Sequence, residues 1–192
     1  MRRSVDWTAI EKLLLDEATS GLAAFAAEHP GEVCYGAVIE VAAGGGSVRL
    51  RLNTEQHLTA QHAGSAVAPD DLRRRFLPGA FAFTIPLTET VAFPSEAIEA
   101  QVEHDLEDPD AADDDPKTAT SRLLDLACRV AFSLEHGALT TLSRTPDFAI
   151  AVTRDPREPG ERSVARYTRF KKQLRVKRRS DPALIPKPKT GV

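Results

Sequence analysis

The 192-residue sequence predicts a single α/β (α+β) domain, a mainly antiparallel sheet with helices packed on it, followed by a basic C-terminal tail. Three observations carry that reading. Apolar residues recur at helical spacing in two long segments, residues 8–28 and 116–136. Short stretches around them alternate apolar and polar residues, as half-buried strands do. Hydrophobic residues are 42% and charged residues 28% of the chain, which is enough apolar material for one sizeable core. The domain is expected over residues 1–170 and the tail over 171–192.

The first segment places Ile10, Leu13, Leu14, Ala18, Leu22 and Phe25 on one helical face. Thr8 and Glu11 have the spacing of a capping box. His29-Pro30-Gly31 ends the helix. Residues 33–41 are rich in β-formers, and Gly44-Gly45-Gly46 supplies the backbone freedom for a reversal. Val48, Leu50 and Leu52 then alternate with Arg49, Arg51 and Asn53, so the apolar face should meet the core and both arginines face water or a partner. Asn53, Thr54 and Glu55 suit the cap of a helix through about residue 62. A second short helical piece spans residues 69–76. Phe81, Phe83, Ile85 and Leu87 alternate as a strand, and Pro86 argues for a sheet edge.

Residues 89–115 hold 11 Asp/Glu and no Lys or Arg. Residues 96–106 are a helix candidate there, and residues 107–115 read as a solvated loop. Asp115 before Pro116 has the arrangement of a cap and first turn. Leu123, Leu126, Ala127, Val130, Ala131 and Leu134 follow as an apolar stripe. Phe148 to Val152 reads as a buried strand, and residues 163–170 as one more short strand. Beyond Lys171 the pattern stops, and a tail with Pro182, Pro186 and Pro188 among lysines is expected to be extended or disordered.

The net charge of −3 hides an asymmetry. From residue 157 onward there are 12 Lys/Arg against 3 Asp/Glu, which leaves 13 against 25 before it. The chain is an acidic body with a basic end, a property that bears on partners more than on fold. No stretch approaches the roughly 20 apolar residues of a membrane span. Asp6 and Glu11 interrupt any apolar signal core, so no export signal is read and a cytoplasmic location is expected. Cys34 and Cys128 read as buried free thiols.

Motifs with chemistry are scarce. A phosphate loop runs from strand to glycines to helix, whereas Gly44–Gly46 lies between two strands without a following Gly-Lys-Ser/Thr. His57 and His62 are five residues apart, about 140° around a helix, and cannot share a metal on one face. Asp113-Asp114-Asp115 lacks the spacing and central glycine of a calcium loop. No Gly-x-Ser-x-Gly elbow is present, and Glu135-His136 stands alone in sequence. No catalytic, cofactor or metal residue is therefore assigned.

Two charged surfaces remain as candidates. The acidic one comprises Glu96, Glu99, Glu103, Asp113, Asp114 and Asp115, suited to a basic protein partner. The basic one comprises Arg175, Lys177, Arg178 and Arg179, suited to nucleic-acid phosphates, with only Tyr167 and Phe170 as nearby aromatics. The bland alternative for that end is a solubilising tail lying back on the acidic body.

Residues 26–36, Ala26-Ala27-Glu28-His29-Pro30-Gly31-Glu32-Val33-Cys34-Tyr35-Gly36, precede a strand ending Leu52-Asn53-Thr54-Glu55. Phe148-Ala149-Ile150-Ala151-Val152, Asp155-Pro156 and Ser163-Val164 follow. In this order they resemble a bacterial domain-of-unknown-function family (number 4303) over about residues 5–170. Such families often look like immunity proteins, an analogy that implies a binding protein and no particular functional residue. The leading expectation is thus a non-enzymatic protein-binding module, an immunity protein holding a basic toxin such as a nuclease on its acidic surface. The alternatives are a nucleic-acid-associated protein acting through the basic tail, and a subunit of a larger assembly.

Overall fold

The computed structural model describes residues 5–42, 47–61, 81–88, 94–107, 118–155, 157–158 and 160–180. The elements run α1 (Trp7–Glu28), β1 (Cys34–Ala42), β2 (Ser47–Thr54), α2 (Glu55–Gln61), β3 (Phe83–Pro86), α3 (Ser95–Glu107) and α4 (Ala119–Glu135). A 3₁₀ turn (Ala138–Thr141), β4 (Arg144–Thr153) and α5 (Gly160–Ser180) follow. The sheet order is β3-β2-β1-β4. The β1–β2 and β2–β3 pairs are antiparallel, and β1–β4 is parallel. The expected mainly antiparallel α+β architecture is what forms.

The expected hairpin pairs Ile39 with Leu50 and Val41 with Val48. Its Gly44–Gly46 turn lies outside the described residues, as do His62, the helical piece expected over 69–76 and Asp113 to Asp115. Of the alternating residues 81–87 only Phe83–Pro86 form a strand, and it lies at the sheet edge, where the missing N–H of Pro86 costs no ladder bond. A bulge between Cys34 and Gly36 shifts the register on both neighbours of β1. Beyond it, side chains three apart share a face, which regular alternation forbids. Cys34 and Ala37 thus enter one core, while Tyr35 and Val38 enter the other.

The larger core lies between one sheet face (Ile39, Val41, Leu50, Leu52, Ile150, Val152) and the apolar stripes of α1 and α4. Ile10, Leu14, Ala18, Leu22 and Phe25 line α1, and Leu123, Leu126, Ala127, Val130, Ala131 and Leu134 line α4. These are the stripes expected from sequence. The second face gathers Tyr35, Val38, Phe81 and Ala151 with Leu58 of α2 and Val164 of α5. Asn53 is fully buried there and donates from Nδ2 to the Tyr35 hydroxyl at 2.7 Å.

Of the three expected helix caps, the one before α2 holds, with Thr54 Oγ1 accepting from the His57 amide at 3.2 Å, and the other two shift. Asp6, not Thr8, caps α1: its Oδ1 accepts from the Thr8 and Ala9 amides at 3.1 Å each. A carboxylate there also meets the positive end of the helix dipole. Glu11, released from capping, pairs with Arg129 of α4 at 2.8 Å. In α4 the cap is Thr118, whose Oγ1 accepts from the Ser121 amide at 3.2 Å, three residues past Asp115. The pairing of β2 also differs from expectation at one arginine. Arg49 is exposed, but Arg51 turns onto buried Glu40, with Nε 2.7 Å from Oε2. The pair is close enough for ionic attraction but is not aligned as a hydrogen bond.

The last strand expected from sequence does not form. Residues 163–170 are the first half of α5, and the helix continues to Ser180 where an extended tail was expected from residue 171. The reason is visible in the spacing. Ser163 and Tyr167 are buried and Phe170 and Leu174 half-buried, at positions i, i+4, i+7 and i+11 of one helical face. Arg, Lys, Gln and Leu between them are strong helix formers.

At Gly21, α1 packs directly against Ile85 of β3. A Cβ at this position would overlap Ile85 Cγ2 of β3, and a β-branched residue has little freedom to yield. Gly→Ala inside a helix ordinarily adds about 0.5–1 kcal/mol. Here Gly21→Ala is expected to lower the melting temperature instead, and adding Ile85→Ala to that variant is expected to recover part of the loss. Thermal denaturation of the single and double variants checks both signs.

Candidate functional site

The C-terminal helix holds the chain's densest charge, so its anchoring decides what it presents. The turn after β4 begins at Asp155, whose Oδ1 accepts from the Arg157 amide at 2.8 Å and whose carbonyl accepts from the Glu158 amide at 2.9 Å. This brings Glu158 under the first turns of α5. Arg166 grips it in a two-pronged pair, Nη2 to Oε1 at 2.6 Å and Nη1 to Oε2 at 2.7 Å. Arg166 Nη1 also donates to the Val152 carbonyl at 2.7 Å, tying helix to strand. Ser163 donates to Glu158 Oε2 at 3.2 Å. The Thr153 hydroxyl lies 2.8 Å from both Glu158 Oε2 and the Asp155 carbonyl, and its single proton serves one at a time. Burial alone would push the Glu158 carboxyl up. The bonds from Arg166, Thr153 and Ser163, with the guanidinium charge, outweigh it and hold the group below the usual carboxylate range.

A second anchor follows within the next turn and a half. The Tyr167 hydroxyl donates to Glu135 Oε2 at 2.6 Å, and Lys171 Nζ reaches Oε1 at 3.0 Å and Oε2 at 3.2 Å. Lys171 also sits 4.7 Å from the centre of the Tyr167 ring. Burial works against the Glu135 charge here too, but the Tyr167 and Lys171 bonds prevail and its carboxyl is held low. Burial, with the Glu135 carboxylate beside it, pushes the Tyr167 phenol well up, so it stays a neutral donor. In sequence Glu135 stood alone with His136. Its partners are 32 and 36 residues away, and no local signal announces them.

These two anchors use two of the nine Lys/Arg of α5, which carries one acid, Glu161. Arg162, Arg169, Lys172 and Arg175 are exposed, spread over roughly 20 Å of helix. Of the basic residues expected to act, Arg175 is placed on this surface, and Lys177, Arg178 and Arg179 follow it in the same helix. Beside Arg175, where α4 ends against α5, an open cleft of about 190 Å³ is lined by Phe132, Glu135, His136, Lys171, Leu174 and Arg175. Its walls set Phe132 and Leu174 beside the charges of the second anchor.

The acidic candidates lie elsewhere. Glu96 and Glu103 are exposed and Glu99 half-exposed on α3, whose Ile98 and Val102 are buried in the larger core. Cys34 and Cys128 are both free and buried, as expected. Burial, with Glu32 nearby, pushes the Cys34 thiol up to about 11. Burial and Asp125 push Cys128 up to about 12, so neither thiol is poised as a thiolate. Among the described residues no group of His, Cys, Asp and Glu is arranged to hold a metal, and no helix is long and apolar enough to cross a membrane. No known family model, curated protein or solved structure matches the chain.

The Glu158–Arg166 anchor makes a pH prediction. A carboxyl held low when folded contributes stability that is present above the ordinary carboxylate value, about 4.3, and is lost as pH falls through the lower folded-state value. Glu158→Gln is expected to cost about 2 kcal/mol near pH 7, because Arg166 keeps its burial but loses its charge partner. The gap to wild type should close as the pH drops below about 4. Melting temperatures of both proteins across that range check it, and a gap that stays constant would remove the pair as the cause.

Proposed function

We propose that this chain is a binding protein for nucleic acid that works through the exposed face of α5. The carrying observation is that the basic end is a helix anchored by Glu158 and Glu135, with Arg162, Arg169, Lys172 and Arg175 left in solvent. A tail lying back on the acidic body would have spent those cations within the molecule. A helix that holds them outward presents a row of point and fork charges suited to a phosphate backbone. The acidic remainder of the chain would keep non-specific contacts confined to this one face.

The test is binding to short labelled oligonucleotides by fluorescence anisotropy across a salt series. Wild type should show affinity that falls steeply with salt. Replacing Arg162, Arg169, Lys172 and Arg175 with glutamine should flatten the log–log slope by roughly 3, since each cation lost releases one fewer counterion. Glutamine keeps helix propensity, so circular dichroism should be unchanged. Salt-independent binding, or a quadruple variant that binds like wild type, would sink the reading.

A second reading keeps the immunity-type expectation, a protein-binding module for a basic partner. It is supported by the exposure of Glu96 and Glu103 on α3 and by the family resemblance described above. On that reading Glu96→Gln, Glu99→Gln and Glu103→Gln together slow association with a partner co-purified from the source cells, most at low salt. An association rate that ignores the three changes would discard this surface.

A further inference from the structure

We infer that the cleft between α4 and α5 seats one unstacked nucleotide, so that the basic face of α5 selects single-stranded over duplex nucleic acid. The inference rests on the proposed nucleic-acid reading and adds the form of the partner. The cleft has the two kinds of wall a nucleotide needs. One is apolar and aromatic: Phe132 and Leu174, with the His136 ring 4.3 Å from the Phe132 ring and tilted 39° to it. The other is cationic and comes from Arg175, since the charge of Lys171 is held by Glu135. The one carboxylate in the cleft, Glu135, has both oxygens engaged by Tyr167 and Lys171, so its charge is largely neutralised toward a ligand. Arg175 is exposed and makes the cleft continuous with the row of cations on α5.

His136 Nδ1 lies 2.8 Å from the Phe132 carbonyl and donates to it, which fixes the ring over the cleft and leaves Nε2 for a base edge. A base stacks on such a platform whatever its identity, while the backbone phosphate meets Arg175. In a duplex the bases are paired and stacked inside, so only the phosphates can reach this protein. The cations of α5 then serve both forms, and the cleft rewards only the single strand.

The experiment compares a labelled single strand with the duplex of the same sequence, using the full chain, His136→Ala and Leu174→Ala. Both substituted side chains are at least partly exposed, and melting curves confirm that the variants fold. Wild type should prefer the single strand, and each variant should lose about tenfold on the single strand with the duplex affinity and the salt slope unchanged. A nucleoside monophosphate should compete with the single strand for wild type only. Equal affinity for both forms, or variants that hold the single strand as wild type does, overturns the cleft assignment while the α5 cation variants still report on the helix. Absence of any salt-dependent binding by wild type overturns the nucleic-acid reading, and the cleft assignment with it.

Discussion

Strand β1 lies between β2 and β4 with both of its faces covered, and that constraint shapes the rest of the molecule. A strand buried on two sides needs apolar cover above and below. The amphipathic stripes of α1 and α4 provide it on one face. On the other, α2 and α5 contribute single residues, Leu58 and Val164, to a smaller cluster. The bulge after Cys34 sorts the side chains of β1 between the two cores. It is also why Tyr35 ends beside Asn53, a polar pair that satisfies itself where a lone buried amide would cost about 1–3 kcal/mol.

Covering the β4 edge with a helix as charged as α5 creates its own problem, since cations facing the sheet would be buried without partners. The fold answers with two carboxylates. Glu158 comes from the connecting turn and takes Arg166, while Glu135 comes from the end of α4 and takes Lys171 and the Tyr167 hydroxyl. Every inward-leaning polar group in this stretch of α5 thereby meets an acceptor, and the helix can keep Tyr167 in the larger core. The outward cations are left over from that arrangement. Structure and charge display therefore follow from the same pairs.

Much of this was legible from residue order. The stripes of α1 and α4, the β1–β2 hairpin, the edge position of β3 and the buried thiols all follow from short-range periodicity and turn chemistry. The helical stripe Ser163, Tyr167, Phe170 and Leu174 was present too, but residues 163–170 taken alone resemble a strand, and dense charge beyond them resembles a tail. Only the combined length of 21 residues shows the helix. The caps at Asp6 and Thr118 were missed because better-known patterns, Thr8-x-x-Glu11 and Asp115-Pro116, stood nearby. The cleft was illegible for a different reason. Its residues come from two helices joined across a 3₁₀ turn, a strand and a second turn, and nothing local to Glu135 or His136 points to Lys171 or Arg175.

The electrostatics of α5 finally bear on how the helix responds to a partner. Like charges three and four apart, such as Lys171 with Arg175, Arg169 with Lys172 and Lys172 with Arg175, each oppose an isolated helix by a few tenths of a kcal/mol. Burial of Tyr167 and the two carboxylate anchors offsets this over the first half. Past Leu174 no such anchor is available among the described contacts. On the proposed reading, a polyanion laid along the exposed face would remove this repulsion. Binding and helix stability would then be linked, so a ligand that fits the face would also stabilise α5.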